Sequence, residues 1–88
     1  MNKLAYLILN VLKGENATDK MSSMSVTDIH YEIRDSHYSY SAVYKKIKQL
    51  VIMGHCMMGI RDGGSNTYYI TRTGMKAADS LKEDDNET

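Results

Sequence analysis

The chain opens on apolar positions spaced three and four apart: Leu4, Leu7, Ile8, Val11 and Leu12. That spacing draws a single stripe on a 3.6-residue period and predicts an amphipathic first helix, stopped at Gly14, a residue favoured as a C-terminal cap. Residues 15–24 carry no apolar period and read as a connecting loop, with Met21 and Met24 placed to anchor it. Ser25-Val26-Thr27-Asp28 has the serine and acid spacing of a capping box, and Met24 and Ile29 stand where a hydrophobic staple would. A short second helix follows with Ile29 and Ile33 on one side, broken by Asp35-Ser36-His37-Tyr38. A third helix then puts Val43, Ile47, Leu50 and Val51 inward, and Gly54 follows it.

Beyond Gly54 the period changes to two. Cys56, Met58 and Ile60 alternate with His55, Met57 and Gly59, and Tyr68 and Ile70 alternate with Thr67, Tyr69 and Thr71. Two strands around the glycine turn Asp62-Gly63-Gly64-Ser65-Asn66 make a hairpin. Thr71 or Thr73 caps a short last helix with Met75, Ala78 and Leu81 toward its inner side. The order of elements predicts an α+β chain: a three-helix core, a two-stranded β wing and a short C-terminal helix. Residues 1–82 form the domain, and the apolar-free, acidic segment 83–88 is expected to be a disordered tail.

Eighty-eight residues, 42% apolar and 25% charged, are enough for one small globular domain. No apolar run approaches the ~20 residues of a membrane span. The early apolar segment, interrupted by Asn10, lacks a small-residue cleavage site, so a cytoplasmic location without membrane attachment is expected. The single cysteine, Cys56, cannot make an internal disulfide and reads as a buried strand residue.

The net charge of zero conceals a strong asymmetry. Residues 1–36 hold four basic and five acidic residues, residues 37–82 hold seven and two, and residues 83–88 hold none and four. The third helix and the hairpin are therefore the basic part, and affinity for phosphate depends on that local patch rather than on the sum. With Ser39 ahead of it, the outward arc of the third helix carries Tyr40, Ser41, Tyr44, Lys45 and Lys48. Hydroxyls and phenols make short hydrogen bonds to base edges, and ammonium groups serve backbone phosphates as point charges. No arginine lies on that arc, so the bidentate contact to guanine is missing. Arg61, Ser65 and Asn66 at the wing extend the face toward phosphate or a minor groove, and Arg72 and Lys76 prolong its basic side. The competing reading of each is solvated surface.

Other constellations carry less. His30, His37, His55 and Cys56 have neither Cys-x-x-Cys nor His-x-x-x-His spacing, so no metal and no other cofactor is expected. The methionines at 21, 24, 53, 57, 58 and 75 read as filler for an irregular core. No nucleophile stands beside an evident base and Gly63-Gly64 is too short for a phosphate loop, so an enzyme is not expected.

The element order, together with Ser41-Ala42-Val43-Tyr44, Leu50, Gly54 and then Tyr68-Tyr69-Ile70-Thr71 before Gly74, resembles the winged helix-turn-helix regulators over residues 25–82, closest to the PadR type and next to the MarR type. In PadR-like proteins a Tyr sits inside the recognition helix, a Gly ends it, and a Tyr-x-Leu/Ile-Thr-x-x-Gly segment closes the wing. Tyr44, Gly54, Tyr68, Ile70, Thr71 and Gly74 occupy those places. The resemblance implies a small transcriptional regulator binding double-stranded DNA, its third helix in the major groove and its wing on adjacent backbone. A protein-interaction winged helix, serving as assembly subunit or inhibitor, is the alternative, since fold does not fix function and seven tyrosines suit a protein interface. A homodimer is expected, paired through the wide apolar arc of the first helix because the family's long C-terminal dimerisation helix is missing.

Overall fold

Helix α1, Lys3–Gly14, buries Leu4, Ala5, Ile8, Leu9 and Leu12, an arc that touches every other helix and the sheet. The structure is a computed structural model that describes residues 3–33 and 37–87, with side chains described through residue 80. Strand β1, Met24–Ser25, leads directly into α2, Val26–Ile33. Helix α3 spans Tyr40–Ile52, strands β2 and β3 span Cys56–Met58 and Thr67–Ile70, and α4 spans Arg72–Glu87. The fold is α+β: four helices and a three-stranded antiparallel sheet ordered β1-β3-β2. Its core joins the α1 residues to Val26, Ile29, Val43, Ile47, Leu50, Cys56, Tyr68, Ile70 and Ala78.

The helix ends show where local chemistry decided the structure. The cap of α1 is Asn16, not Gly14: Asn16 takes φ 56, the Ala17 N–H donates to the Leu12 carbonyl at 2.8 Å, and the Asn16 N–H donates to that of Lys13 at 3.1 Å. This is a Schellman closure two residues beyond the glycine, sealed by burial of Ala17. Asparagine tolerates the left-handed region, so it competed successfully for the role. Gly54 does close α3 as expected, at φ 82, with His55 N–H donating to the Leu50 carbonyl at 2.9 Å. Ser25 caps α2, its Oγ accepting from the Asp28 N–H at 3.1 Å, and Ser39 caps α3, accepting from the Ala42 N–H at 3.1 Å. Thr71 rather than Thr73 caps α4, accepting from the Gly74 N–H at 3.0 Å while donating to the Gly54 carbonyl at 2.6 Å. That cap fastens the end of the sheet to the end of α3.

The sheet departs from the pattern in three ways. Strand β1 is a third strand inside the expected loop, pairing Met24 with Tyr68 and Ser25 with Thr67. Strand β2 stops at Met58, so Ile60 is not part of it and is exposed. Thr67, on the polar phase of the alternation, is buried because its hydroxyl donates to the Ile60 carbonyl and lies 2.7 Å from Ser23 Oγ. This stitch ties the loop after α1 to both sides of the hairpin.

The methionines do not fill the core. Met21 is 80% exposed, Met53, Met57 and Met58 are exposed, and among the described methionines only Met24 and Met75 pack partly against the interior. Met21 therefore anchors nothing. The interior is filled instead by Leu and Ile of α1 and α3 and by Tyr68, while β2 lies at the sheet edge and sends only Cys56 inward. The last helix is longer than its apolar positions suggest, with helical backbone from Arg72 to Glu87. Asp35 and Ser36, expected to break α2, and the side chain of Leu81 lie outside the described residues.

Candidate nucleic-acid interface

On α3 the apolar stripe decides the rest. With Val43, Ile47 and Leu50 fully buried, the opposite arc has to face solvent: Tyr40 is 49% and Tyr44 40% exposed, and Ser41, Lys45 and Lys48 are exposed with them. Lys48 Nζ sits 5.9 Å from the centre of the Tyr44 ring, a cation–π contact that holds the ammonium beside the phenol. Lys46, one position off this arc, donates to Gln49 Oε1 at 2.8 Å. Ser39 faces its own helix as N-cap, so its hydroxyl is engaged before any ligand arrives.

The wing closes in a two-residue turn. Asp62 and Ser65 exchange backbone hydrogen bonds at 2.9 and 3.0 Å, and Gly63 and Gly64 between them take φ 58 and 90, as a type I′ turn requires. Arg61 donates from Nη2 to the Gly64 carbonyl at 2.8 Å, which folds its guanidinium onto the turn while the residue stays exposed.

Three elements meet beside the recognition arc. A notch of about 110 Å³ is lined by Ser25, Val26 and Thr27 at the start of α2, Tyr40 and Tyr44 of α3, and Ser65 and Asn66 of the wing. Ser25 and Thr27 are the residues that sequence reasoning missed, having served there only as a capping signature. Pairing of Ser25 with Thr67 carries the α2 terminus to the base of the wing, and a two-residue strand has too little pattern to be read from a sequence. The notch is hydroxyl- and amide-rich, and it lies at the N-terminal end of α2, whose first turn also carries Asp28.

Tyr40, Tyr44, Ser65 and Asn66 are thus brought together, with Ser41, Lys45, Lys48 and Arg61 exposed on the same two elements. Arg72 is not among them: it begins α4 at the opposite end of β3 from the wing turn. Of the histidines and the cysteine whose spacing spoke against a metal site, His30 contacts the Tyr38 carbonyl at 3.0 Å and Cys56 is buried, its thiol pushed up to about 12 by desolvation. Among the described residues no cluster of His, Cys, Asp and Glu could hold a metal ion. No helix among them is long and apolar enough to cross a membrane.

A helix-turn-helix whose second helix presents an exposed polar arc, followed by a β wing, defines a winged-helix protein of the DNA-binding class. No protein-family profile matches the chain. A relative described as the DNA-binding protein TubR of Clostridium botulinum C phage is 31% identical over 81 residues, covering 92% of this chain and 96% of that protein, and the chain belongs to the TubR family. The solution structure of the DNA-binding TubR fragment from Clostridium botulinum matches with a TM-score of 0.68 at 32% identity, over 92% of this chain and 96% of the other. TubR from Bacillus megaterium pBM400 shares the fold with a TM-score of 0.74 at 19% identity, over 88% and 81% of the two chains. SSV1 F-93 shares it with a TM-score of 0.68 at 18% identity, over 99% and 90%.

Proposed function

We propose that this protein binds double-stranded DNA as a small regulator, α3 entering the major groove and the wing resting on adjacent backbone. The observation that carries the reading is the convergence of α2, α3 and the wing on one hydroxyl-lined notch beside the α3 arc that exposes Lys45 and Lys48. In this arrangement Tyr40, Ser41 and Tyr44 reach base edges, Lys45, Lys48 and Arg61 contact phosphates, and Ser65 and Asn66 bond backbone oxygens beside the notch. Arg72, at the far end of β3, contributes charge at longer range. Ser39 acts through the cap it gives α3. The DNA-binding description of the TubR relatives favours this reading over a protein-docking module or an enzyme.

Apart from Tyr44, which stands on the exposed arc of α3, the residues matched to the PadR-type pattern have structural work here. Gly54 closes α3, Tyr68 and Ile70 fill the core, Thr71 caps α4, and a side chain at Gly74 would overlap the His55 carbonyl. That resemblance therefore reads as shared winged-helix architecture, within which target preference is set by the α3 arc. Two-fold pairing remains part of the proposal, narrowed by the packing of α1: Leu7 and Val11 are the arc residues that stay half-buried.

The test is a fluorescence-anisotropy titration against mixed-sequence duplex DNA over a range of salt concentrations. Affinity is expected to fall steeply with salt. The Lys45→Ala, Lys48→Ala double variant should weaken binding to every sequence and reduce the logarithmic salt slope by about 2. Salt-independent or absent binding by the folded wild type would overturn the reading.

A further inference from the structure

The imidazole of His30 joins the two helices of the helix-turn-helix. Its Nε2 lies 3.0 Å from the Tyr38 backbone carbonyl, and because a carbonyl only accepts, Nε2 carries the proton and donates. The same ring meets Tyr40 edge to face, with centroids 6.0 Å apart and planes at 85°. Tyr38 immediately precedes the cap Ser39, and Tyr40 is the first residue of α3. His30 and Tyr38 are half-buried, whereas Tyr40 presents half its surface to solvent and forms one wall of the notch.

We infer that His30 is a positioning residue for DNA recognition, holding Tyr40 in its groove-facing orientation without touching DNA itself; this rests on the reading of the α3 arc as the DNA face. The geometry explains why a polar ring sits at a half-buried place on α2. A phenol at the first turn of a helix has two rotatable side-chain bonds and solvent on one side, so α3 alone leaves its orientation free. The hydrogen bond to Tyr38 fixes the imidazole, and the fixed ring then selects one perpendicular orientation of the Tyr40 ring. Thr27, one turn earlier on the same side of α2, lines the notch directly, so a single face of α2 both forms the notch and braces the tyrosine beside it. Positioning of this kind lowers the ordering cost that Tyr40 would otherwise meet on binding.

The experiment compares wild type with His30→Ala, Tyr40→Ala, the double variant and His30→Phe, all in anisotropy titrations with one mixed-sequence duplex and with thermal melts as the check on folding. His30→Ala should bind about two- to tenfold more weakly, the equilibrium worth of one edge-to-face pair, with an unchanged salt slope because no phosphate contact is lost. The double variant should be no weaker than Tyr40→Ala alone. His30→Phe, which keeps a ring against Tyr40 but loses the bond that fixes it, should recover only part of the affinity lost in His30→Ala, and it is the comparison to read if His30→Ala melts early. Proton NMR of the free protein should show a contact between the His30 and Tyr40 rings. Additive losses, wild-type affinity in His30→Ala, failure of His30→Phe to recover binding, or absence of the ring contact would each overturn the inference. If the wild type shows no salt-dependent binding, the DNA reading falls and the inference with it; wild-type binding with an indifferent His30→Ala removes the inference alone.

Discussion

Two side chains show how much a single buried atom decides. The Thr67 hydroxyl is almost fully enclosed, donates to the Ile60 carbonyl and faces Ser23 Oγ. Thr67→Val keeps the shape but strands those partners, so it should lower stability by about 1–3 kcal/mol in urea titrations, unlike a threonine at a solvated strand position. Cys56 is buried, and desolvation lifts its thiol from an ordinary 9.0 to about 12. The fold therefore favours the neutral thiol: its contribution is complete below about 9 and is lost as pH rises toward about 12. Unfolding titrations across that alkaline window should fall more steeply for wild type than for Cys56→Ala, and a thiol reagent should label the native protein only as fast as it opens.

At the scale of elements, helix ends and helix faces make opposite predictions for neighbouring substitutions. Gly14 takes no left-handed conformation, and a side chain there meets nothing within 4 Å, because Asn16 performs the closure. Gly14→Ala should stabilise the domain by up to about 1 kcal/mol, whereas Gly54→Ala, at φ 82, should destabilise it by about 1–2 kcal/mol. Thermal melts of the pair separate the two glycines cleanly. On α3, Ile47→Ala empties a site with no solvent access and should cost about 2–5 kcal/mol, enough to unfold much of a small domain, while Lys45 and Lys48 on the other face should alter binding and leave the melt unchanged. Reversal of that contrast would mean that the faces of α3 are assigned backwards.

For the molecule as a whole, charge layout and assembly are the open levers. Residues 37–82 carry a net surplus of five basic charges from seven against two, and residues 83–88 carry four acidic ones. We propose that residues 1–82 suffice as the DNA-binding domain and that the acidic end only repels DNA through its field. Removing residues 83–88 should then raise affinity at low salt and change little at high salt, where the Debye length falls to about 3 Å at 1 M. Weaker low-salt binding after truncation would assign the segment a part in the fold instead. For pairing, sedimentation should report a two-fold particle that Leu7→Glu with Val11→Glu returns to a single chain; a monomer at tens of micromolar (roughly a Kd weaker than 10⁻⁵ M), with and without DNA, would remove the dimer.

Repeating patterns longer than two turns were legible in the chain itself, because burial of one helical stripe forces both what lies inside and what lies opposite. Val43, Ile47 and Leu50 thereby determined the exposure of Tyr40, Ser41, Tyr44, Lys45 and Lys48, and the glycine turn determined the hairpin. Ser25 was legible as a cap because a cap bonds within its own first turn, whereas Ser39, grouped in the sequence with the outward arc of α3, showed its capping role only in the structure. Whatever depended on a partner distant in sequence was decided only by the tertiary structure. Ser25 became part of the notch because it pairs beside Thr67, Thr67 turned inward because Ser23 and Ile60 supply partners, and Met21, Met53, Met57 and Met58 were left outside because α1 and β3 had already filled the interior. His30 acquired Tyr38 and Tyr40 in the same way. A period records which face of an element is apolar; only packing determines which polar atoms then meet, since each such contact needs two chain segments that no local rhythm relates.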